Sequence, residues 1–272
     1  MMPSLRMEGI VKHFGDLVAN DAVDLEVRDS EIHGLLGENG AGKTTLMNIL
    51  YGIYQPNAGR IFLNGEEVHI DSPRTAIARG VGMVHQHFML VPTLTVAENL
   101  MLGEPGGRGP FLELGAAEAR IRALAENYGF RINPRAKVWQ LSVGEQQRVE
   151  IVRALYRGAD LLILDEPTAV LTPQESDELF GILRELVAQG RSVILISHKL
   201  EEIMAITDRV TILRDGRRVG TKRTAETSVE ELARLMVGRE VLFQLHREAR
   251  EPGPVVLEVG DLDAALEFYG AI

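Results

Sequence analysis

Short, dense apolar runs recur along this chain, and the polarity pattern within each run decides what it forms. Val23-Asp24-Leu25-Glu26-Val27 alternates apolar and polar, the period of a strand with one buried face. Arg60-Ile61-Phe62-Leu63-Asn64-Gly65 predicts a second strand that ends in a turn. Val81–Val84, Leu161–Leu164, Val193–Ile196 and Val210–Leu213 are compact apolar runs, as strands buried on both faces require. Gly216 predicts the turn of a terminal hairpin. Helical stretches separate several of these runs, which argues for a mixed α/β fold on a partly parallel sheet.

Residues 92 to about 158 break this rhythm. Strand signals disappear, and a Gly/Pro stretch, Gly103–Pro110, precedes the helix-like Ala116–Tyr128. The block reads as a helical subdomain inserted between two strands of the core. Pro134, Pro167 and Pro173 mark further boundaries. Near the end, Val256–Leu262 resembles Ser4–Ile10 and follows a polar, Pro-containing linker, Arg247–Pro254. This predicts the opening of a second copy of the same domain.

Composition narrows the class. At 272 residues, 45% hydrophobic and 25% charged, the chain has ample core for one large α/β domain or two small ones. It has no Cys, which excludes disulfides, thiolate metal sites and Cys nucleophiles and fits a cytosolic protein. A formal charge of −10 argues against a broad nucleic-acid footprint. No apolar run approaches the roughly 18–20 residues of a membrane span. The start, Met1–Arg6, lacks the apolar core of a signal peptide, so a membrane role is expected to come through a partner.

The octet Gly37-Glu38-Asn39-Gly40-Ala41-Gly42-Lys43-Thr44 carries the most chemistry. It fits Gly, any four residues, Gly-Lys, then Ser or Thr, the pattern of a loop whose backbone N–H groups wrap a polyphosphate. The glycines allow close approach, Lys43 reaches the β- and γ-phosphates, and the Thr44 hydroxyl holds Mg²⁺. Glu31–Leu36 reads as a strand into the loop and Thr45–Leu50 as a helix out of it. The helix N-terminus near Gly42 presents partial positive charge to an anion. That setting weighs against an ordinary Gly-rich turn.

Two further segments fit the same chemistry. Leu161-Leu162-Ile163-Leu164-Asp165-Glu166 is an apolar strand ending in two carboxylates. Asp165 is placed to hold Mg²⁺ through water, and Glu166 to polarise an attacking water. A solvated strand end is the plain alternative. Leu141-Ser142-Val143-Gly144-Glu145-Gln146-Gln147-Arg148 opens a helix whose N-terminus, at Ser142 and Gly144, suits a γ-phosphate. Ser142 as a simple N-cap is an equal reading of that segment alone.

Together these segments resemble the nucleotide-binding subunit of an ATP-binding cassette (ABC) transporter over about residues 4–240. Gly37–Thr44 resembles Walker A, Leu161–Glu166 Walker B, and Leu141–Glu145 the ABC signature. Gln86 resembles the Q-loop glutamine, His198 the switch histidine, and Phe14 the aromatic that stacks on adenine. His85 and His87, which flank Gln86, read as ordinary polar residues. Two departures stand out: the signature reads L-S-V-G-E, and Thr172 takes the place of the usual D-loop aspartate. Both are familiar in the branch resembling ribose, galactose and nucleoside importers, which carries two cassettes in one polypeptide. Met83–Leu90 looks closer to nucleoside than to ribose importers, and Leu266–Gly270 does not look like a cassette continuation.

The resemblance implies a P-loop NTPase (RecA-like) core with a mixed sheet, an antiparallel β-subdomain and an inserted α-helical subdomain at about 92–158. Residues 4–240 would be the nucleotide-binding domain, and 241–272 a linker with the truncated start of a second cassette. It implies ATP hydrolysis with Mg²⁺, using Glu166, His198, Lys43 and Gln86 in catalysis and Thr44, Gln86 and Asp165 at the metal. Phe14, Gly37, Glu38, Asn39, Gly40, Ala41, Gly42, Lys43, Thr44, Thr45 and Gln86 would hold the nucleotide. Ser142, Gly144 and Glu145 would cover ATP on an opposing cassette. The implied partners are permease subunits, a second cassette and a separate solute-binding protein, with no nucleic acid. The implied place is the cytoplasmic face of the cell membrane, powering import of a nucleoside or simple sugar. A soluble ABC-type ATPase on nucleic acid or ribosomes is the alternative, but it calls for coiled-coil insertions or basic linkers that this acidic chain lacks. A regulatory cassette without turnover is the third reading, against which an intact Glu166 and His198 count.

Overall fold

The alternation read at Val23–Val27 belongs to a long hairpin, in which β1 (Pro3–Phe14) and β2 (Leu17–Arg28) pair antiparallel. Val23, Leu25 and Val27 point inward while the residues between them are exposed. In this computed structural model residues 3–86, 88–103 and 114–238 are described. The chain divides into two compact units, Met1–Val241 and Leu242–Ile272. The second unit, with the repeat at Val256–Leu262, the linker before it and Leu266–Gly270, lies outside the described residues, as do His87 and most of the Gly/Pro stretch.

After the hairpin come β3 (Ile32–Leu36), α1 (Lys43–Leu50), β4 (Ala58–Leu63), β5 (Glu66–Val68), α2 (Pro73–Ala78) and β6 (Val81–Val84). Asn64 and Gly65 both have positive φ, as the tight turn joining β4 to β5 requires. The block between β6 and the next strand holds α3 (Val96–Met101), α4 (Leu114–Asn127) and α5 (Val143–Tyr156). It is helical as expected, but one isolated antiparallel bridge, Thr95 to Lys137, stitches its segments together. Then follow β7 (Leu161–Asp165), α6 (Pro173–Ala188), β8 (Ser192–Ser197), α7 (Leu200–Ile206), β9 (Arg209–Arg214), β10 (Arg217–Arg223) and α8 (Val229–Val237). Asp215 and Gly216, again at positive φ, turn β9 into β10. Thr95, Ser142 and Thr172 each accept a hydrogen bond from the N3 amide of the helix they open, and the N3 glutamate reaches back, so each closes a capping box.

These strands build two sheets. One is antiparallel, in the order β2-β1-β4-β5. The other runs β10-β9-β3-β8-β7-β6, parallel except for the β9–β10 hairpin. Every residue of β3, β6, β7 and β8 is buried, which is why Val81–Val84, Leu161–Leu164 and Val193–Ile196 read as apolar runs. Alternate residues feed two cores. Val193 and Leu195 pack with Leu183 and Ile151 on one face. Ile194 and Ile196 pack on the other with Leu46 and Ile49 of α1 and Leu5 and Ile10 of β1. Among the described residues no helix is long and apolar enough to cross a membrane.

Candidate functional site

Because β3, β6, β7 and β8 run parallel as neighbours, their C-terminal ends share one edge of the sheet. The loop 37–42 leaves β3 there, Gln86 follows β6, Asp165 ends β7 with Glu166 next, and His198 follows β8. One open cleft brings together Phe14, Asn39, Gly40, Ala41, Gly42, Lys43, Thr44, Thr45, Gln86, Asp165, Glu166 and His198. Gly37 and Glu38 form the base of the loop beneath it: their carbonyls accept from Lys43 Nζ at 2.7 and 3.0 Å.

The loop shape depends on what glycine lacks. Gly42, the N-cap of α1, has φ 93°, and a Cβ there would meet the Ala19 carbonyl oxygen at 2.4 Å and Asn20 Nδ2 at 2.7 Å. Asn20 is fully buried and donates to the Gly42 carbonyl at 3.2 Å, so β2 presses against the loop. Gly42→Ala is expected to cost about 1–3 kcal/mol of stability from overpacking alone, with further strain at positive φ. A thermal melt checks it: an unchanged midpoint would mean that the loop has more room than this contact allows.

Charge is concentrated in the cleft. The Thr44 hydroxyl donates to Asp165 Oδ2 at 3.4 Å, and His198 Nδ1 lies 2.8 Å from Glu166 Oε1. Burial pushes the Asp165 carboxyl up from its ordinary pKa and the Glu166 charge adds to this, while the Thr44 hydrogen bond and Lys43 oppose it. Burial pushes Lys43 down, against the pull of Glu166 and Asp165. A buried ammonium, two adjacent carboxylates and a hydroxyl thus face one space. The hydroxyl and carboxylate oxygens are the hard donors that Mg²⁺ prefers, and a divalent cation would relieve the repulsion that raises Asp165. Phe14 is exposed on the rim, with Tyr54 edge-on at 5.1 Å and Lys12 Nζ 5.1 Å from its ring centre. A flat apolar ligand could stack there.

Ser142, Gly144 and Glu145 are not in this cleft. They form the first turn of α5, where Ser142 Oγ accepts from the Glu145 amide and the Glu145 carboxylate accepts from the Ser142 amide. The Glu175 carboxylate of α6 crosses Gly144 so closely that a Cβ would meet it at 2.5 Å. Thr172 serves as the N-cap of α6, its hydroxyl accepting from the Glu175 amide. His85 is half-buried beside Tyr51, and burial followed by the charge of Arg153 lowers its pKa.

Residues 20–169 match the ABC transporter family. The chain belongs to that family. It is 54% identical to the glucose import ATP-binding protein TsgD13 of Haloferax volcanii, over 96% of this chain and 53% of the relative. It is 51% identical to the nucleoside import ATP-binding protein NupA of Lactococcus lactis, over 95% of this chain and 51% of the relative. The guanosine import ATP-binding protein NupO of Bacillus subtilis is 52% identical, over 94% and 50%. The chain thus spans about half the length of the curated relatives it matches. Among solved structures, the ADP conformation of the ABC transporter cassette MJ1267 superposes with a TM-score of 0.75 at 27% identity, covering 87% of this chain and 96% of that one. The fold is that of a P-loop ATPase cassette, as the motifs had implied.

Several residues of this ABC cassette's cleft escaped sequence reasoning. Leu17, Val18 and Ala19 line it from the β1–β2 hairpin, and Asp215 and Gly216 from the β9–β10 turn. Strand β2 touches the β9–β10 turn through the Asp21 amide, which donates to the Gly216 carbonyl at 2.8 Å. The one available signal was the apolar pair Leu17-Val18 left exposed beside Phe14.

Proposed function

We propose that this chain is the ATP-hydrolysing cassette of an ABC importer for a small solute, a nucleoside or simple sugar. The observation that carries it is the single cleft holding the phosphate loop, the Thr44–Asp165 pair and the Glu166–His198 pair. Lys43 and the loop amides would bind the phosphates, and Phe14 would lie against the base. Mg²⁺, held by Thr44 and Asp165 with Gln86 nearby, would supply positive charge to the phosphate oxygens. Glu166 would orient and deprotonate the attacking water, and His198, in contact with it, would steady the γ-phosphate.

Ser142, Gly144 and Glu145, which lie outside this cleft, fit a role on ATP bound to an opposing cassette in a head-to-tail pair. Gln86 and the helical subdomain would relay closure to membrane permease subunits at the cytoplasmic face, with a separate solute-binding protein delivering the cargo. The solute class is supported by relatives named for glucose, nucleoside and guanosine import. Residues 4–240 would form this working domain. By light scattering, Glu166→Gln is expected to shift from monomer to dimer on addition of Mg-ATP. A monomer that still binds ATP would mean that the second cassette is not a copy of this chain. Failure of the wild-type chain to hydrolyse ATP with any partner cassette would overturn the reading.

A further inference from the structure

The Glu166–His198 contact joins two segments that the backbone leaves unconnected. The β7–β8 ladder ends at Asp165 and Ile196, and the last backbone bond across it runs from the Glu166 amide to the Ile196 carbonyl, 3.0 Å. Among the described residues no backbone hydrogen bond links 167–172 to 197–199. A carboxylate makes the connection instead. Glu202, in the first turn of α7, accepts from Thr168 Oγ1 at 2.5 Å and from Lys199 Nζ at 2.9 Å through Oε1, and from Ser197 Oγ at 3.2 Å through Oε2. The network closes on itself. Lys199 Nζ also donates to the Thr168 carbonyl and hydroxyl at 3.3 Å each, and the Lys199 amide donates to Ser197 Oγ at 3.0 Å. Thr168 is 2% exposed and Ser197 fully buried, so neither hydroxyl has water as a ready substitute.

We propose that Glu202 is a positioning residue for hydrolysis: it fastens the segment after Glu166 to the segments on both sides of His198 and so sets the contact between those two side chains. The proposal rests on the catalytic reading of Glu166 and His198 given above. Both oxygens of an ionised carboxylate accept, and only such a group satisfies three donors from two strand ends at once. A plainer role is available. Glu202 lies in the first turn of α7, paired with Lys199 at i,i+3, where an acid steadies a helix terminus. The two roles predict different data. A helix-end acid changes melting temperature without singling out turnover, and it has no reason to reach across to Thr168.

The test is Glu202→Ala in the full chain, with Glu202→Gln beside it. For Glu202→Ala, kcat is expected to fall about 10- to 100-fold, the scale of an ångström-sized misplacement at a reacting centre, with ATP affinity unchanged. Glu202→Gln keeps the shape but offers one acceptor oxygen to three donors, and its kcat is expected to fall between those of Glu202→Ala and the wild type. In a Glu166→Gln background, Glu202→Ala is expected to add little, because the group it positions is already gone. A crystal structure of Glu202→Ala is expected to show Glu166 and His198 outside hydrogen-bond distance. Unchanged kcat, an undiminished further loss in the Glu166→Gln background, or an intact contact in the crystal would overturn the proposal. If the wild-type chain hydrolyses no ATP, the functional reading fails, and the crystallographic contact still decides on Glu202.

Discussion

Glu166→Gln is expected to bind Mg-ATP as the wild type does and to turn it over at least about 100-fold more slowly, the lower end of what a general base contributes. Glutamine keeps the shape of the side chain but cannot take a proton. The position is specialised. Glu166 has φ 51°, in the left-handed region that a side chain enters only at some cost, and its amide is held by the Ile196 carbonyl. That backbone directs the carboxylate to His198 and into the cleft. The substitution also removes the charge that helps to raise Asp165, so its carboxyl moves back toward the ordinary range. Phosphate release at saturating ATP, with affinity from titration calorimetry, separates the two effects. Normal turnover by Glu166→Gln would remove it from the catalytic role.

Lys43→Ala is expected to weaken ATP binding at least about 100-fold. Charge-assisted hydrogen bonds contribute about 1.5–3 kcal/mol each, and two such contacts to phosphate oxygens would exceed the roughly 2.8 kcal/mol that a hundredfold requires. The ammonium is poised for this. It is buried, its nearest acceptors are two carbonyls of its own loop, and burial already disfavours its charge. Its removal should therefore cost binding far more than folding. Melting curves read both: ATP raises the wild-type midpoint through linkage, and the variant is expected to start near the wild-type value and gain almost nothing. An equal ATP-dependent rise in the variant would show that Lys43 does not contact the phosphates.

Much of the fold was legible because its signals are local. Four buried strands appeared as apolar runs, and the Asn64-Gly65 and Gly216 turns were marked by residues that tolerate positive φ. The helical block at 92–158 was visible as a lack of strand pattern, while its Thr95–Lys137 bridge was not, since a single bridge has no period. Around the cleft, Lys43, Thr44, Asp165 and Glu166 were readable because a phosphate loop and a strand ending in carboxylates each carry chemistry within a few residues. Gln86 and His198 became readable only through resemblance, since one glutamine or histidine after an apolar run has no pattern of its own.

Local pattern was sufficient for the buried strands and the phosphate loop, because each rests on interactions between residues near one another in the chain. The tertiary structure alone decided that the hairpin residues Leu17, Val18 and Ala19 share a cleft with Asp215, that Asn20 braces Gly42, and that Glu202 ties Thr168 to Ser197. Those partners are brought together by strand order in a parallel sheet. A strand's own residues state that it is buried, and they leave its neighbours unstated.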